Sequence, residues 1–268
     1  MVKNDGKNAA AKKTARNILS VAAPFITLGA AVLAWAIVAK IVDAEILAPS
    51  VKSVFLSVIK LIKSGEFYAS AAFTALRAFA AFAISFLSAF LLAALSHKYP
   101  LFKRFVSPVC AVVKTTPAMS VILIVIVVFS SKISPVIIAF TVLFPVAYND
   151  FLSGLSMIDG EILEMATVYK VSKKTLNRYY IYPFVLKTAA VSAVNELSFS
   201  LKITVSAEVM SATAKSIGRL LYMAKVNLET ADLVAVTLLA VVLGGILDYF
   251  AAKLKNKFFK KEADDGRN

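Results

Sequence analysis

The chain contains almost no histidine and cysteine. His97 and Cys110 are the only residues of these two types among 268. A metal centre with imidazole and thiolate ligands needs several such side chains close together, and the sequence supplies no such cluster. A single cysteine cannot form a disulfide within the chain. No nucleophile and base can be paired either, so we predict neither a catalytic site nor a metal site.

Glycine and acidic residues are also scarce. None of the nine glycines stands in the pattern G-x-x-x-x-G-K-[ST], whose backbone N–H groups surround the phosphates of a bound nucleotide. The chain therefore has no P-loop ATPase of its own and, we expect, no cofactor. The 16 acidic residues face 30 Lys and Arg, which gives a net charge of +14. Cytoplasmic loops of membrane proteins collect such cations, so we predict no nucleic-acid partner.

Long uncharged runs are abundant. Hydrophobic residues make up 59% of the chain, and two of the uncharged runs are Ile18–Ala39 and Ala78–Ser96, of 22 and 19 residues. About 20 apolar residues suffice for a helix to cross the hydrocarbon core of a bilayer. We predict an all-α, polytopic membrane protein in contact with lipid, with about six transmembrane helices. The predicted spans are 18–42, 69–96, 105–130, 134–150, 184–209 and 231–251.

The distribution of Lys and Arg predicts the orientation. With the N-terminus inside, the four inside segments contain 19 of these cations and the three outside segments contain 7. This bias places both termini in the cytoplasm of a multi-pass plasma-membrane protein. The predicted parts are a cytoplasmic N-terminal segment, 1–17, a transmembrane domain, 18–251, with a cytoplasmic loop at 151–183, and a charged cytoplasmic tail, 252–268.

Two local features accompany the spans. Residues 50–64 have apolar side chains at helical spacing, with Ser50 as the expected N-cap and Gly65 as the expected stop. This helix either lies in the membrane interface or packs against the protein. In the third span, Pro108 and Pro117 each remove a backbone donor, so we expect the helix to be interrupted there.

The cytoplasmic loop predicts two short helices. Asp159 can cap a helix that begins near Gly160, and Ser172 can cap a second one after a break near Lys170. The first helix places Glu161, Glu164 and Val168 near one face. Two short helices at a bend form a compact knob that can transmit a push to the flanking spans.

The same loop resembles the one by which permeases of ATP-binding-cassette importers dock onto their ATPase. Their pattern is E-A-A-x3-G-x9-I-x-L-P, and this chain keeps Glu164, Ala166 and Pro183 at the same spacing. The resemblance implies that these three residues, together with Lys170, form the coupling site. Ala166 is small enough for another surface to approach closely.

The loop also departs from the family pattern. It has Lys170 where the family has glycine, and Met165, Tyr180 and Tyr182 at three other family positions. Glycine permits a left-handed turn, whereas a lysine in that conformation costs roughly 1 kcal/mol or more. We therefore expect either a rebuilt turn or a less conventional coupling.

The resemblance extends over about residues 46–250, including KTTPAMSVILIVIVVFSSKISPVIIAFTVLFPVAYND and SLKITVSAEVMSATAKSIGRLLYMA. It is closest to the subgroup that imports nitrate, sulfonate, taurine, bicarbonate and some vitamin precursors. It implies the type I permease fold in the inner membrane and a second permease copy, either identical or related. It also implies two ATPase subunits that carry ATP and Mg²⁺, and an extracytoplasmic substrate-binding protein.

Charged residues within the predicted spans suggest a transport pathway. Such residues are costly in a bilayer and usually face a bundle interior or water. Lys114, near Pro117, and Lys202 would favour an anion in the pathway. Alternatively, these lysines form structural ion pairs with Glu196, Glu208 or Asp150.

The three charges of the fifth span are spaced six residues apart. At about 100° per residue, Glu196, Lys202 and Glu208 point roughly 120° away from one another, so at least one should pair with another span. Glu208 lies in SAEVM, a stretch the family shares, which suggests a gate or packing role. Arg77, near an outer end of the second span, is expected to snorkel to the interface.

Taken together, these features predict the membrane-spanning subunit of an ATP-driven importer for a small solute, such as an anion or a vitamin precursor. The alternative is a self-sufficient channel or ion-coupled carrier, which would explain the intramembrane charges without an ATPase. An inverted repeat of spans would favour that alternative, and the sequence shows none.

Overall fold

The structure is a computed structural model that describes residue 23 and residues 26–265, with side chains as far as Lys253. The predicted N-terminal segment, 1–17, lies outside the described residues. Throughout the described part, all regular structure is helical and no strand occurs. The helices are α1 (Ile26–Val42), α2 (Val51–Ile62), α3 (Gly65–Lys98), α4 (Pro100–Thr115), α5 (Ala118–Val128), α6 (Ser134–Ser156), α7 (Gly160–Val168), α8 (Lys173–Leu176), a π-helix (Asn177–Ile181), α9 (Tyr182–Ser211), α10 (Ile217–Val226) and α11 (Thr230–Asp265).

Three of the described helices are long and apolar enough to cross a membrane: Gly65–Lys98, Ser134–Ser156 and Thr230–Lys253. The pair α4 and α5 makes a fourth if its two members form one broken span. The other two predicted spans are helical as well, but α1 is a shorter apolar helix and α9 contains four charged residues. The fold is therefore all-α and polytopic, as predicted, and the helical backbone continues through most of the predicted tail, to Asp265.

The predicted break in the third span occurs at Pro117. Here α4 ends and α5 begins, and the two helices are bent by 99°. Thr116 has extended backbone angles because the following proline disfavours the α conformation. Pro108 does not interrupt α4, so of the two expected breaks only this one is present.

The chain divides into two compact units, the described part of Met1–Leu61 with Ala224–Ala235, and Ile62–Met223 with the rest of α11. In the first unit, Ser50 caps α2 as predicted, since its Oγ accepts a hydrogen bond from Ser53 N–H at 3.1 Å. The Ser50 N–H and the Ser53 hydroxyl also bind the Glu45 carboxylate, which lowers the pKa of Glu45. Gly65 does not stop α2 as predicted; it begins α3, because Ser64 caps that helix.

The second unit is built around α3, α6 and α9. A stripe of small residues on α3 is buried: Ser70, Thr74, Ala78, Ala81, Ser85, Ala89, Ala93 and Ser96. Small side chains let membrane helices approach closely. Near the C-terminal end of α3, Phe151 of α6 packs between Phe86 and Phe90 at ring distances of 5.0 and 5.4 Å. Tyr148 of α6 donates a hydrogen bond to Ser96 at 2.8 Å, so these ends of α3 and α6 are adjacent.

Candidate functional site

The knob predicted between the fourth and fifth spans is present. Asp159 caps α7 by accepting a hydrogen bond from Glu161 N–H at 2.9 Å. Ser172 caps α8 by accepting one from Thr175 N–H at 3.1 Å. The second short helix was predicted at Lys173–Tyr179, before a separate fifth span, but α8 continues into that span. The residues at its junctions with the π-helix and with α9 all have helical backbone angles. The chain therefore runs from α8 to the end of α9 as one continuous rod.

Lys170 adopts a left-handed turn, the conformation expected of a glycine at this position. Its φ is 54°. Lys170 N–H donates to Thr167 O at 3.1 Å, and Val171 N–H donates to Ala166 O at 2.9 Å. These two bonds define a Schellman motif, which ends α7 and satisfies two of its last carbonyls. The turn is thus formed by a lysine, in a backbone conformation that is unfavourable for any residue with a side chain.

Glu164 and Ala166 lie on different sides of α7. Glu164 is exposed, as are the apolar side chains of Met165, Val168 and Tyr169 near it. Ala166 is only 7% exposed, so its side chain packs within this chain and does not line the outer surface. In this chain the surface that approaches Ala166 closely belongs to the protein itself, and the coupling role expected for Ala166 stays a prediction. The exposed surface of α7 therefore combines two carboxylates, those of Glu161 and Glu164, with apolar groups.

A contact that the sequence did not reveal joins the two halves of the knob. Asp159 N–H donates a hydrogen bond to the Tyr180 hydroxyl at 3.1 Å. Tyr180 lies in the π-helix, shortly before Pro183 in the first turn of α9. In the sequence, Tyr180 stood out only as a departure from the isoleucine of the family pattern. Its hydroxyl therefore connects the start of α7 to the π-helix that continues into α9.

At the opposite end of α9, a buried ion pair organises the chain. Arg77 of α3 donates to Glu208 Oε1 at 2.9 Å, and Glu208 is fully buried. Thr74 donates to Oε2 at 2.8 Å, and Gly218 N–H donates to the same oxygen at 3.3 Å. Arg77 therefore does not snorkel to the interface as predicted, because the carboxylate of α9 binds it. The prediction that one of the charges of α9 pairs with another span is confirmed.

The same arginine fixes the connection between α9 and α10. Arg77 also donates to the carbonyls of Ala214 and Lys215, at 3.2 and 3.3 Å. Ala212 and Lys215 have positive φ values of 47° and 48°, so the segment 212–216 follows a tight path.

Gly218 completes this cluster because no side chain fits at its position. A Cβ on Gly218 would overlap Glu208 Cβ and the backbone N of Val209. The absence of a side chain lets the start of α10 approach the Glu208 carboxylate closely enough for the backbone hydrogen bond. We call Thr74, Arg77, Glu208 and Gly218 the polar clamp.

The predicted pathway residues are scattered. Lys114 is exposed on the last turn of α4, just before the break at Pro117. It interacts electrostatically with Asp150 of α6, which in turn interacts with Glu196 of α9. Glu196 is 2% exposed, and neither carboxylate oxygen has a hydrogen-bond partner among the described residues.

Lys202 is exposed on α9, whereas Glu196 and Glu208 are buried. Among the described residues, neither Lys202 nor Lys114 forms an ion pair within 4.0 Å, so the expected alternative of structural pairs is not seen there. A regular pattern on α9 was not predicted. Every fourth residue is polar and buried over four turns: Ser192, Glu196, Ser200, Thr204 and Glu208.

The described residues form an all-helical fold with three helices able to cross a membrane, or four if the bent pair is one span, and with two buried carboxylates on α9, which is the architecture of a polytopic membrane protein. The chain belongs to the family of binding-protein-dependent transport system inner membrane components, whose model matches residues 85–260. The match extends from the second half of α3 into α11, so it includes the knob and, from the polar clamp, Glu208 and Gly218. The chain is therefore a membrane component of a transport system and not a catalytic subunit. No curated protein matches the chain.

Proposed function

We propose that the chain is the permease subunit of an ATP-driven importer. Two permease copies would associate with two ATPase subunits, which bind ATP and Mg²⁺, and with an extracytoplasmic binding protein that delivers a small solute. An anion such as nitrate or a sulfonate, taurine, or a vitamin precursor is the expected substrate. The observation that carries the proposal is the exposed face of α7, where Glu164 stands among apolar side chains on a helix built into a bend.

In this proposal, α7 is the contact with the ATPase. Exposed apolar side chains beside the carboxylates of Glu161 and Glu164 suit a protein interface, which buries its apolar centre and uses charge for orientation. When the ATPase subunits close, they displace α7. The Asp159–Tyr180 hydrogen bond and the continuous helix from α8 to Ser211 then carry the displacement along the whole length of α9.

In this proposal, the polar clamp connects α3 to the other end of α9. Arg77 holds Glu208 and the segment 212–216, so α3 and the outer end of α9 move together. A push on the inner end of α9 therefore tilts α9 and α3 as a unit. The break at Pro117, with Lys114 beside it, and the exposed Lys202 are the residues that we place along the pathway of the solute.

The test is co-purification with an ATPase subunit of a binding-protein-dependent transport system, co-expressed with this chain. Wild type and Glu164→Lys are solubilised in detergent, and bound ATPase activity is measured. Since reversal of the charge places a cation at the interface, we expect it to remove most of the bound activity. Glu66→Lys is the matched control, because Glu66 is an exposed carboxylate at the start of α3, at the far end from Ser96 and α7.

Retention of ATPase by Glu164→Lys at the wild-type level would refute the docking role of α7. Loss in both variants would show that net charge, and not this position, is responsible. If the wild type binds no ATPase, the importer proposal fails and the carrier alternative takes its place. The unpartnered Glu196 is then the first residue to test for proton coupling.

A further inference from the structure

A cavity lies between α9, α10 and α11 in the second unit. Its volume is about 430 Å³, within the usual range of about 300–1,000 Å³ for small-molecule sites. Apolar side chains form most of its lining. The lining also includes the cation Lys202 and the carboxylate Asp248. Both residues lie within the part of the chain that the family model matches.

Among the described residues, the two charges in this cavity have no ion-pair partner. Asp248 Oδ1 is buried and accepts no hydrogen bond within that part of the chain. Lys202 and Asp248 do not pair with each other, nor does either pair with another described residue. Charged groups at membrane depth are costly unless they are paired or solvated. A cation and an acid that face one cavity without pairing are therefore complementary to a ligand of the reverse polarity.

Two adjacent glycines keep the space between the charges open. A Cβ on Gly245 would meet no atom within 4 Å, and one on Gly244 would lie 3.7 Å from Leu201 Cδ2. Both glycines line the cavity, and together with the apolar side chains of the lining they leave room for a short hydrocarbon linker.

We infer that this cavity binds a zwitterion, with its oxyanion group at Lys202 and its ammonium group at Asp248. If the zwitterion is the transported solute, the inference rests on the proposed function. It then restricts the expected substrates to anions that also carry a cationic nitrogen. The same chemistry occurs in the headgroup of phosphatidylethanolamine, which is the second source of such a ligand in a membrane.

The experiment uses the full-length chain in phosphatidylglycerol nanodiscs, without ATPase or binding protein. Cys110→Ala removes the only thiol, and Gly245→Cys places a new one in the cavity. The rate of maleimide labelling is then measured with 2-aminoethanesulfonate, with ethanesulfonate and with ethylammonium. At about ten times its dissociation constant a ligand leaves roughly one site in eleven free, so labelling slows about tenfold.

We expect the zwitterion to slow labelling of Gly245→Cys at concentrations where the two single-charge analogues have little effect. Lys202→Gln and Asp248→Asn should each remove the protection. Lys174→Cys, at an exposed position on α8 outside the cavity lining, should label at the same rate throughout. Slower labelling in phosphatidylethanolamine nanodiscs, reversed by Lys202→Gln, would identify the lipid headgroup as the ligand.

Equal protection by ethanesulfonate alone would overturn the inference in favour of a simple anion site. Protection by none of the probes in either lipid, or no labelling of Gly245→Cys at all, would show that the cavity does not take a zwitterion. Because no ATPase is present, each of these results leaves the docking of Glu164 untouched. Failure of the docking test would likewise leave the labelling result intact.

Discussion

Single residues in this chain occupy positions where the backbone or the packing permits few alternatives. Lys170 has a left-handed conformation that glycine adopts without strain, and Gly218 lies where no side chain fits. Arg77 and Glu208 bind one another across 131 positions of sequence. For each of these residues, the local geometry predicts whether a substitution stabilises or destabilises the protein.

Replacing Lys170 by glycine should stabilise the protein by about 1 kcal/mol. Glycine adopts positive φ at no steric cost, whereas a lysine loses roughly that much. Unfolding in mixed micelles of increasing denaturing detergent measures the change. Lys174→Gly is the control: it lies in α8 with helical geometry, so glycine there should destabilise by about 1 kcal/mol. Destabilisation by both substitutions would contradict the role assigned to the turn.

Arg77 and Glu208 should show strong coupling in a double-mutant cycle. Loss of one partner of a buried pair typically costs about 3–5 kcal/mol, and we expect the lower end because 16% of the Arg77 side chain is exposed. Arg77→Met and Glu208→Gln are compared with the double variant by the same unfolding assay. The double variant should lose clearly less than the two single losses together. Additive losses would mean that the pair contributes no interaction energy.

Alanine at Gly218 should destabilise the protein by about 1–3 kcal/mol. The new Cβ would overlap Glu208 Cβ and the backbone of Val209, and forcing extra atoms into a packed site costs about that much. Gly65→Ala is the matched control, since its Cβ would meet no atom within 4 Å. Equal unfolding midpoints for the two variants would show that the polar clamp can move apart.

At the scale of helices, the two helices of the knob differ in how they are connected. The helix α8 continues into α9, whereas a turn separates α7 from α8. The π-helix joins α8 to α9 without a change of backbone conformation. Between α7 and α8, the chain turns through Lys170 and is tied back by the Tyr180 hydroxyl. A π-helical turn often marks a functional site. We therefore expect the Tyr180 contact to make α7 move together with α9.

Tyr180→Phe should loosen this connection without unfolding the helices. The hydroxyl accepts the Asp159 N–H, and a net hydrogen bond is worth about 1 kcal/mol, which corresponds to about fivefold in an opening equilibrium. Hydrogen exchange at the Asp159 amide should accelerate by about that factor. Tyr179→Phe is the control, because Tyr179 is exposed and its hydroxyl has no hydrogen bond in the described structure. An unchanged exchange rate in Tyr180→Phe would remove this residue from the transmission path.

For the molecule as a whole, the sequence predicted the local features better than the long-range contacts. The uncharged run before His97 predicted α3, Pro117 predicted the broken span, and Asp159 and Ser172 predicted the caps of the knob, because each signal acts within a few residues. The partner of Arg77 could not be predicted, since it depends on which faces of α3 and α9 meet. Tyr180 was missed for the same reason: its hydroxyl finds Asp159 only after the chain has bent.

The helix α3 is long enough for its two ends to lie on opposite sides of the membrane. At about 1.5 Å per residue, the 34 residues of α3 extend roughly 50 Å, more than the hydrocarbon core of about 30 Å. Glu66 and Lys98 should therefore face opposite sides of the membrane. Tyr148 binds Ser96, so α7 and α8 follow α6 on the side of Lys98. The excess of Lys and Arg there favours the cytoplasm for that side.

We expect cysteines at Glu66 and Lys174, each introduced with Cys110→Ala, to be labelled from opposite sides. A membrane-impermeant maleimide should react with Glu66→Cys in intact cells, and with Lys174→Cys only after the membrane is opened. Both positions are exposed, so a difference in labelling would report the side of the membrane and not burial. Reaction of both cysteines in intact cells would contradict the crossing of α3, and the reverse pattern would invert the orientation. Inversion would also place α7 outside the cell, where no ATPase could reach Glu164.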